Sequence, residues 1–114
     1  MRLILCVDDD PFMLQLYAMS VPEGWRAELA ASAEDAMPSV ERASAIILDA
    51  GLPGMSGAEF LGWVRAQSDV PVLVVTGEES SERHAELRAR GASEVRVKPV
   101  RPADLRSWLE LNVR

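Results

Sequence analysis

The stretch from Ala45 to Gly57, Ala-Ile-Ile-Leu-Asp-Ala-Gly-Leu-Pro-Gly-Met-Ser-Gly, constrains the fold of this chain more than any other. Ala45 to Leu48 are apolar in an unbroken row, with neither helical nor alternating period. That is the pattern of a short strand covered on both faces, as in a parallel sheet. The run stops at Asp49, where a loop carrying Gly51, Pro53, Gly54 and Gly57 begins. A carboxylate is thereby expected at the carboxyl end of a buried strand, the edge at which open α/β sheets bind ligands. Asp also opens turns and caps helices, so the stretch alone leaves both readings open, and the rest of the chain has to separate them.

Leu3 to Val7 is a second continuous apolar run and ends in Asp8, Asp9 and Asp10, followed by Pro11. Asp10 as N-cap with Pro11 at the first helical position predicts a helix start. The helix carries Phe12, Leu14, Leu16, Tyr17 and Met19 and is ended by Val21-Pro22-Glu23-Gly24. Arg26 to Ala31 reads as a more polar strand at a sheet edge, with Trp25 packing at its start. Ser32 resembles an N-cap with Asp35 three residues on. Pro38 then removes a helical hydrogen bond and clashes with the preceding turn, so this second helix should be short, kinked or late.

Phe60, Leu61 and Val64 fall at helical spacing within Ala58 to Gln67, with Trp63 at the margin. Val70 to Gly77 contains a third buried strand ending in a polar residue, Thr76. Ser80 to Arg90 is charged nearly all round, with Leu87 its one large aliphatic residue, so this helix should be weakly held, and Gly91 is a natural C-terminal cap. Glu94 to Val97 is a short strand leading into Lys98-Pro99, and Pro102 opens a last helix with Leu105, Trp108 and Leu109 on one face. Strands and helices alternate to the end, which predicts a parallel sheet with right-handed crossovers and helices on both faces.

A length of 114 residues suits one domain, 1–114, able to bury about two thirds of its unfolded surface, with no room for a second. The chain is 48% hydrophobic and 26% charged, a globular balance. No apolar run approaches the ~18 residues of a membrane span, and the N-terminal run stops at Asp8 without a small-residue cleavage site, so neither membrane nor signal peptide is expected. A single cysteine, Cys6, inside a predicted core strand suits packing and a reducing, cytoplasmic setting. There is no metal-binding Cys/His cluster. A net charge of −6 argues against nucleic acid, whose phosphates need a basic face, and for a cation as ligand.

Four strand ends therefore carry polar groups: Asp8 and Asp9, Asp49, Thr76, and Lys98. In a parallel sheet all carboxyl ends share one edge, so these residues should converge. Clustered carboxylates raise each other's pKa unless a cation joins them. Mg²⁺ takes oxygen ligands and keeps several waters, so one or two carboxylates, a backbone carbonyl and a phosphate oxygen suffice. Lys98 and the Thr76 hydroxyl would then meet phosphate oxygens. Of twelve basic residues eleven are arginine, and Lys98 is the one lysine. A compact ammonium on a flexible stem fits where a planar guanidinium does not.

From Leu3 to about Val113 the chain resembles the receiver domains of two-component response regulators. The motifs are Val7-Asp8-Asp9, Ile47-Leu48-Asp49 with Leu52-Pro53-Gly54-Met55-Ser56-Gly57, Thr76-Gly77 and Val97-Lys98-Pro99, in order and at predicted strand ends. The resemblance implies a doubly wound, flavodoxin-like five-stranded parallel sheet of order 2-1-3-4-5. It implies that Asp49 is the phosphoacceptor nucleophile, served by the phosphohistidine of a sensor histidine kinase or a histidine phosphotransfer domain. Asp8, Asp9, Asp49 and the backbone carbonyl of Gly51 would hold Mg²⁺, Thr76 and Lys98 would neutralise the equatorial oxygens, Gly77 would leave room for the phosphoryl group, and Lys98-Pro99 would be cis.

By the same resemblance this is a signalling module rather than an enzyme. Its state would be read by an unknown output protein or a second copy, on the face made by the Ser80 to Arg90 helix, the Glu94 to Val97 strand and the last helix. Receivers commonly carry an aromatic residue three positions before the lysine, and here that position is Val95. The chain stops after its last helix, so no effector domain is expected. His84 reads as a solvated surface residue.

Three other readings compete. A Mg²⁺-dependent aspartyl phosphatase would carry Asp-x-Asp after its first strand, but position 51 is Gly. A flavodoxin-like cofactor binder would need a phosphate-cradling loop after the first strand, where Asp8-Asp9-Asp10-Pro11 repels phosphate. A degenerate receiver used for docking would not need the acids, threonine and lysine that are all present.

Overall fold

Each of the three apolar runs forms a strand in a computed structural model that describes residues 1–114. In chain order the elements are β1 (Leu3–Val7), α1 (Pro11–Ser20), β2 (Arg26–Ala30), α2 (Ala33–Ala36), a 3₁₀ stretch (Met37–Arg42), β3 (Ala45–Asp49), α3 (Gly57–Arg65), β4 (Val72–Thr76), α4 (Ser81–Ala89), β5 (Glu94–Val97) and α5 (Pro102–Asn112). The sheet is wholly parallel with strand order β2-β1-β3-β4-β5. This is the doubly wound, flavodoxin-like arrangement.

Every residue of β1, β3 and β4 is buried, whereas β2 at the edge is largely open to solvent. Alternation along the strands divides the core in two. Leu5, Val7, Ile46, Leu48, Val72 and Val74 face a layer completed by Phe60, Leu61 and Val64 of α3 and Leu87 of α4. Ile4, Cys6, Ile47, Leu73 and Val75 face the other side, closed by Tyr17 of α1 and by Leu105, Trp108 and Leu109 of α5. Because both faces are covered, the strands carry continuous apolar sequence, and the sheet can offer polar groups only at its ends.

The capping chemistry fixes where helices begin. The Asp10 side chain accepts from Phe12 N–H (2.9 Å), ahead of Pro11. Ser32 accepts from Asp35 N–H (3.0 Å), but the helix lasts only four residues before Pro38 forces the chain into 3₁₀ geometry. Ser56 and Glu59 form a reciprocal capping box that starts α3 at Gly57. α1 turns apolar side chains to solvent as well as to the core. It is apolar nearly all round, so while Tyr17 is buried, Phe12 and Met19 point outward, 85% and 67% exposed.

Candidate functional site

The register sets the site. Val7 pairs with Leu48, Asp49 with Val75, and Thr76 with Val97, so the strands end together. Backbone pairing runs one step further, with Asp8 N–H donating to Ala30 O (3.1 Å), Ala50 N–H to Val75 O (2.9 Å) and Lys98 N–H to Thr76 O (2.7 Å). The residues that follow the apolar runs are thereby held on rigid backbone. The Lys98-Pro99 bond is cis.

Asp8, Asp9 and Asp49 meet as expected, each offering a carboxylate oxygen within 4.8 Å of the others. Asp8 and Asp49 are buried and Asp9 is exposed. Asp8 Oδ1 accepts from Asp10 N–H (3.0 Å) and Oδ2 from the Tyr17 hydroxyl (2.8 Å). Lys98 Nζ lies 3.2 Å from Asp49 Oδ1 and 3.7 Å from Asp8 Oδ2. The ammonium expected to meet phosphate oxygens is the one paired here with Asp49 and Asp8. The lysine serves as counter-charge to the two buried acids.

Burial raises the Asp8 pKa, and the neighbouring Asp49 charge adds to it, against the Asp10 N–H, the Tyr17 hydroxyl and Lys98. Burial works against the charge of Lys98, but Asp49 and Asp8 outweigh it and hold the ammonium above its ordinary pKa. The Tyr17 phenol is pushed up by burial and by Asp8, so it stays a donor. An all-oxygen set of three acids, two of them buried beside a single ammonium, suits a hard divalent ion such as Mg²⁺.

Thr76 is buried at the end of β4, its Oγ1 accepting from Glu78 N–H (3.1 Å) and its own proton left to donate. A cavity of about 240 Å³ opens over Asp49, lined by Gly51, Thr76, Gly77, Arg83 and Lys98. A Cβ at Gly77 would meet nothing within 4 Å, so the space beside its backbone is open. Gly57 has the opposite reason to be glycine. A Cβ there would stand 2.5 Å from the Asp49 carbonyl oxygen and 2.7 Å from Ala50 Cα, so only glycine lets α3 press against the loop behind Asp49.

Sequence reasoning missed three contributors. Tyr17 stands in the sequence only as one of the helix's large side chains, although a lone tyrosine in an apolar helix needs a partner for its hydroxyl. Arg83 reaches the cavity rim from the first turn of α4, which depends on helix phase and carries no local signal. Glu34 of α2 accepts from Met55 N–H (3.3 Å) and tethers the loop after β3 from 21 residues away. His84 is not simply solvated either, since its Nε2 lies 2.7 Å from the Glu78 carbonyl oxygen.

Comparison with known proteins supports this architecture. The family model of the response regulator receiver domain matches residues 4–110. The transcriptional regulatory protein YvrH of Bacillus subtilis is 33% identical over 97% of this chain but 48% of its own length, and the DNA-binding response regulator MtrA of Mycolicibacterium smegmatis is 28% identical over 97% and 50%. The chain thus spans about half the length of these curated relatives. Among solved structures, the Vibrio cholerae chemotaxis protein CheY4 superposes with a TM-score of 0.89 at 34% identity, covering 99% of both chains. The beryllofluoride-activated receiver domain of Klebsiella pneumoniae RstA gives 0.90 at 27%, again with 99% of both. A parallel sheet of order 2-1-3-4-5, acids after β1 and β3, and a match along nearly the whole sequence place this chain in the response regulator receiver domain family.

Proposed function

We propose that this chain is the phosphoacceptor module of a two-component or phosphorelay system. Asp49 takes the phosphoryl group from the phosphohistidine of a sensor histidine kinase or a histidine phosphotransfer domain. A carboxylate oxygen of Asp49 bonds to phosphorus as the P–N bond breaks, and that electron pair leaves on the imidazole nitrogen. The observation that carries this reading is the convergence of Asp49 with Asp8, Asp9, Thr76 and Lys98 around one open cavity.

Asp8, Asp9, Asp49 and the backbone carbonyl of Gly51 would hold Mg²⁺. Bound there, the ion supplies positive charge to the transferring phosphoryl oxygens. The chain's own residues supply the rest. Lys98 gives up part of its pairing with Asp49 to face a phosphoryl oxygen, Thr76 donates its hydroxyl proton, and the open space at Gly77 admits the group. The module acts as a switch rather than on a free substrate, meeting its kinase in the cytoplasm. A net charge of −6 favours a protein, or a second copy, over nucleic acid as the direct partner of these residues.

The test is labelling by acetyl phosphate, read by intact mass. One acid-stable, base-labile phosphoryl adduct is expected on the wild-type chain and none on Asp49→Asn. An adduct that persists in that variant moves the chemistry to another residue.

A further inference from the structure

Both oxygens of the buried Asp8 carboxylate are held by one helix. Oδ1 accepts from the N–H of Asp10, the residue that caps α1, and Oδ2 accepts from the hydroxyl of Tyr17, two turns further along it. Tyr17 has no exposed surface, it belongs to the buried apolar cluster that includes Ile4, Ile47, Leu105 and Trp108, and its hydroxyl donates to Asp8. The hydroxyl thus crosses from the apolar layer under α1 and α5 into the acidic edge of the sheet.

We infer that Tyr17 is a positioning residue for the divalent ion: it fixes the direction in which Asp8 presents its remaining lone pairs. This rests on the reading of Asp8, Asp9 and Asp49 as the ion site. An ionised carboxylate has about four acceptor positions. Asp10 and Tyr17 occupy one on each oxygen, which stops the carboxylate rotating and leaves the others for the ion, its waters or Lys98. Lys98 Nζ stands 3.7 Å from the same Oδ2 and competes for it. Without the phenol, Asp8 turns toward the ammonium and the ion meets a carboxylate already committed elsewhere. Groups that orient metal ligands from behind typically carry tenfold to a hundredfold in affinity.

Tyr17 is the one tyrosine in the sequence, so tyrosine labelled with ¹³C at the ζ carbon gives a single NMR signal that reports on this hydroxyl alone. In wild-type chain, Mg²⁺ should move that signal with the same half-saturation as tryptophan fluorescence, and Asp9→Asn should hold it still. Tyr17→Phe, which removes one oxygen and keeps the ring, should raise the half-saturating Mg²⁺ concentration about tenfold or more. A ζ-carbon signal unmoved at saturating Mg²⁺, or equal half-saturation in wild type and Tyr17→Phe, overturns the role of Tyr17 while the ion site stands. Absence of any saturable Mg²⁺ response in wild type removes the ion site itself, and this inference with it.

Discussion

Lys98 shows how far a single residue's chemistry can be argued from its surroundings. Its ammonium sits between Asp49 and Asp8, 29% exposed, in a chain whose other eleven basic residues are arginine. A guanidinium is longer and planar, so at this point it either reaches past the two oxygens or splays them. Lys98→Arg should therefore slow acetyl phosphate labelling by roughly tenfold, less than the 10²–10³ of deleting a charge-stabilising donor outright. Wild-type labelling kinetics in that variant would show that charge alone matters. This position was legible in the sequence for a topological reason. Parallel strands ending in step put Asp8, Asp49, Thr76 and Lys98 together whatever the loops between them do. Tyr17 and Arg83 were not legible, because whether a helical side chain reaches the sheet edge depends on the phase and tilt of its helix, which short-range pattern does not set. The pairing of Lys98 with Asp49 was missed for a related reason, since charge balance among buried groups becomes visible only once their distances are known.

At the scale of elements, the weak hold on α4 follows from its composition. Leu87, 1% exposed, is its one buried residue, and the Arg83–Glu86 pair on its surface is exposed and contributes little. Its two ends are not equivalent. Arg65 of α3 donates from Nε to Gly91 O (2.8 Å), from Nη1 to Val70 O (2.6 Å) and from Nη2 to Ser93 Oγ (3.3 Å), clamping the turn that follows α4. The amino end has only the Ser80 cap on Arg83 N–H and the His84 contact with Glu78. Leu87→Ala removes buried aliphatic volume whose loss costs about 2–5 kcal/mol in a rigid core. If α4 opens on its own, less than that should reach global stability. Hydrogen exchange should then show lost protection at Ser81–Ala89 with β3 and β4 unchanged, whereas uniform loss would make α4 part of the global unit. The sequence announced this helix, its cap and its poverty of anchors, as it announced the break at Pro38. It did not announce the Arg65 clamp, whose acceptors lie 5 to 28 residues away.

Across the whole molecule, the proposed function requires that a phosphoryl group on Asp49 be felt at a surface some distance from it. The usual aromatic position is Val95, 7% exposed, which has no ring to turn. Another route is built into the loop after β4. Thr76 Oγ1 accepts from Glu78 N–H (3.1 Å), and the Glu78 carbonyl holds His84 Nε2 (2.7 Å) on the first turn of α4. Drawing Thr76 toward a phosphoryl oxygen withdraws the acceptor from Glu78, frees that residue to move, and slackens its grip on His84. Because α4 is clamped at Gly91, the motion should be a pivot in which its amino end swings and its carboxyl end stays. Carrying a two-state element from mostly one form to mostly the other takes about 5.5 kcal/mol of differential interaction, and less where the two begin nearly even, as one anchoring leucine suggests. Hydrogen exchange of the apo chain against the beryllofluoride-bound chain reads this directly. Protection should change from Glu78 through the first turns of α4, grading off toward Arg90, and His84→Ala should make the apo pattern there resemble the bound one. Changes confined to the loops over Asp49, with α4 silent and His84→Ala indistinguishable from wild type, would leave this face without a signal to carry.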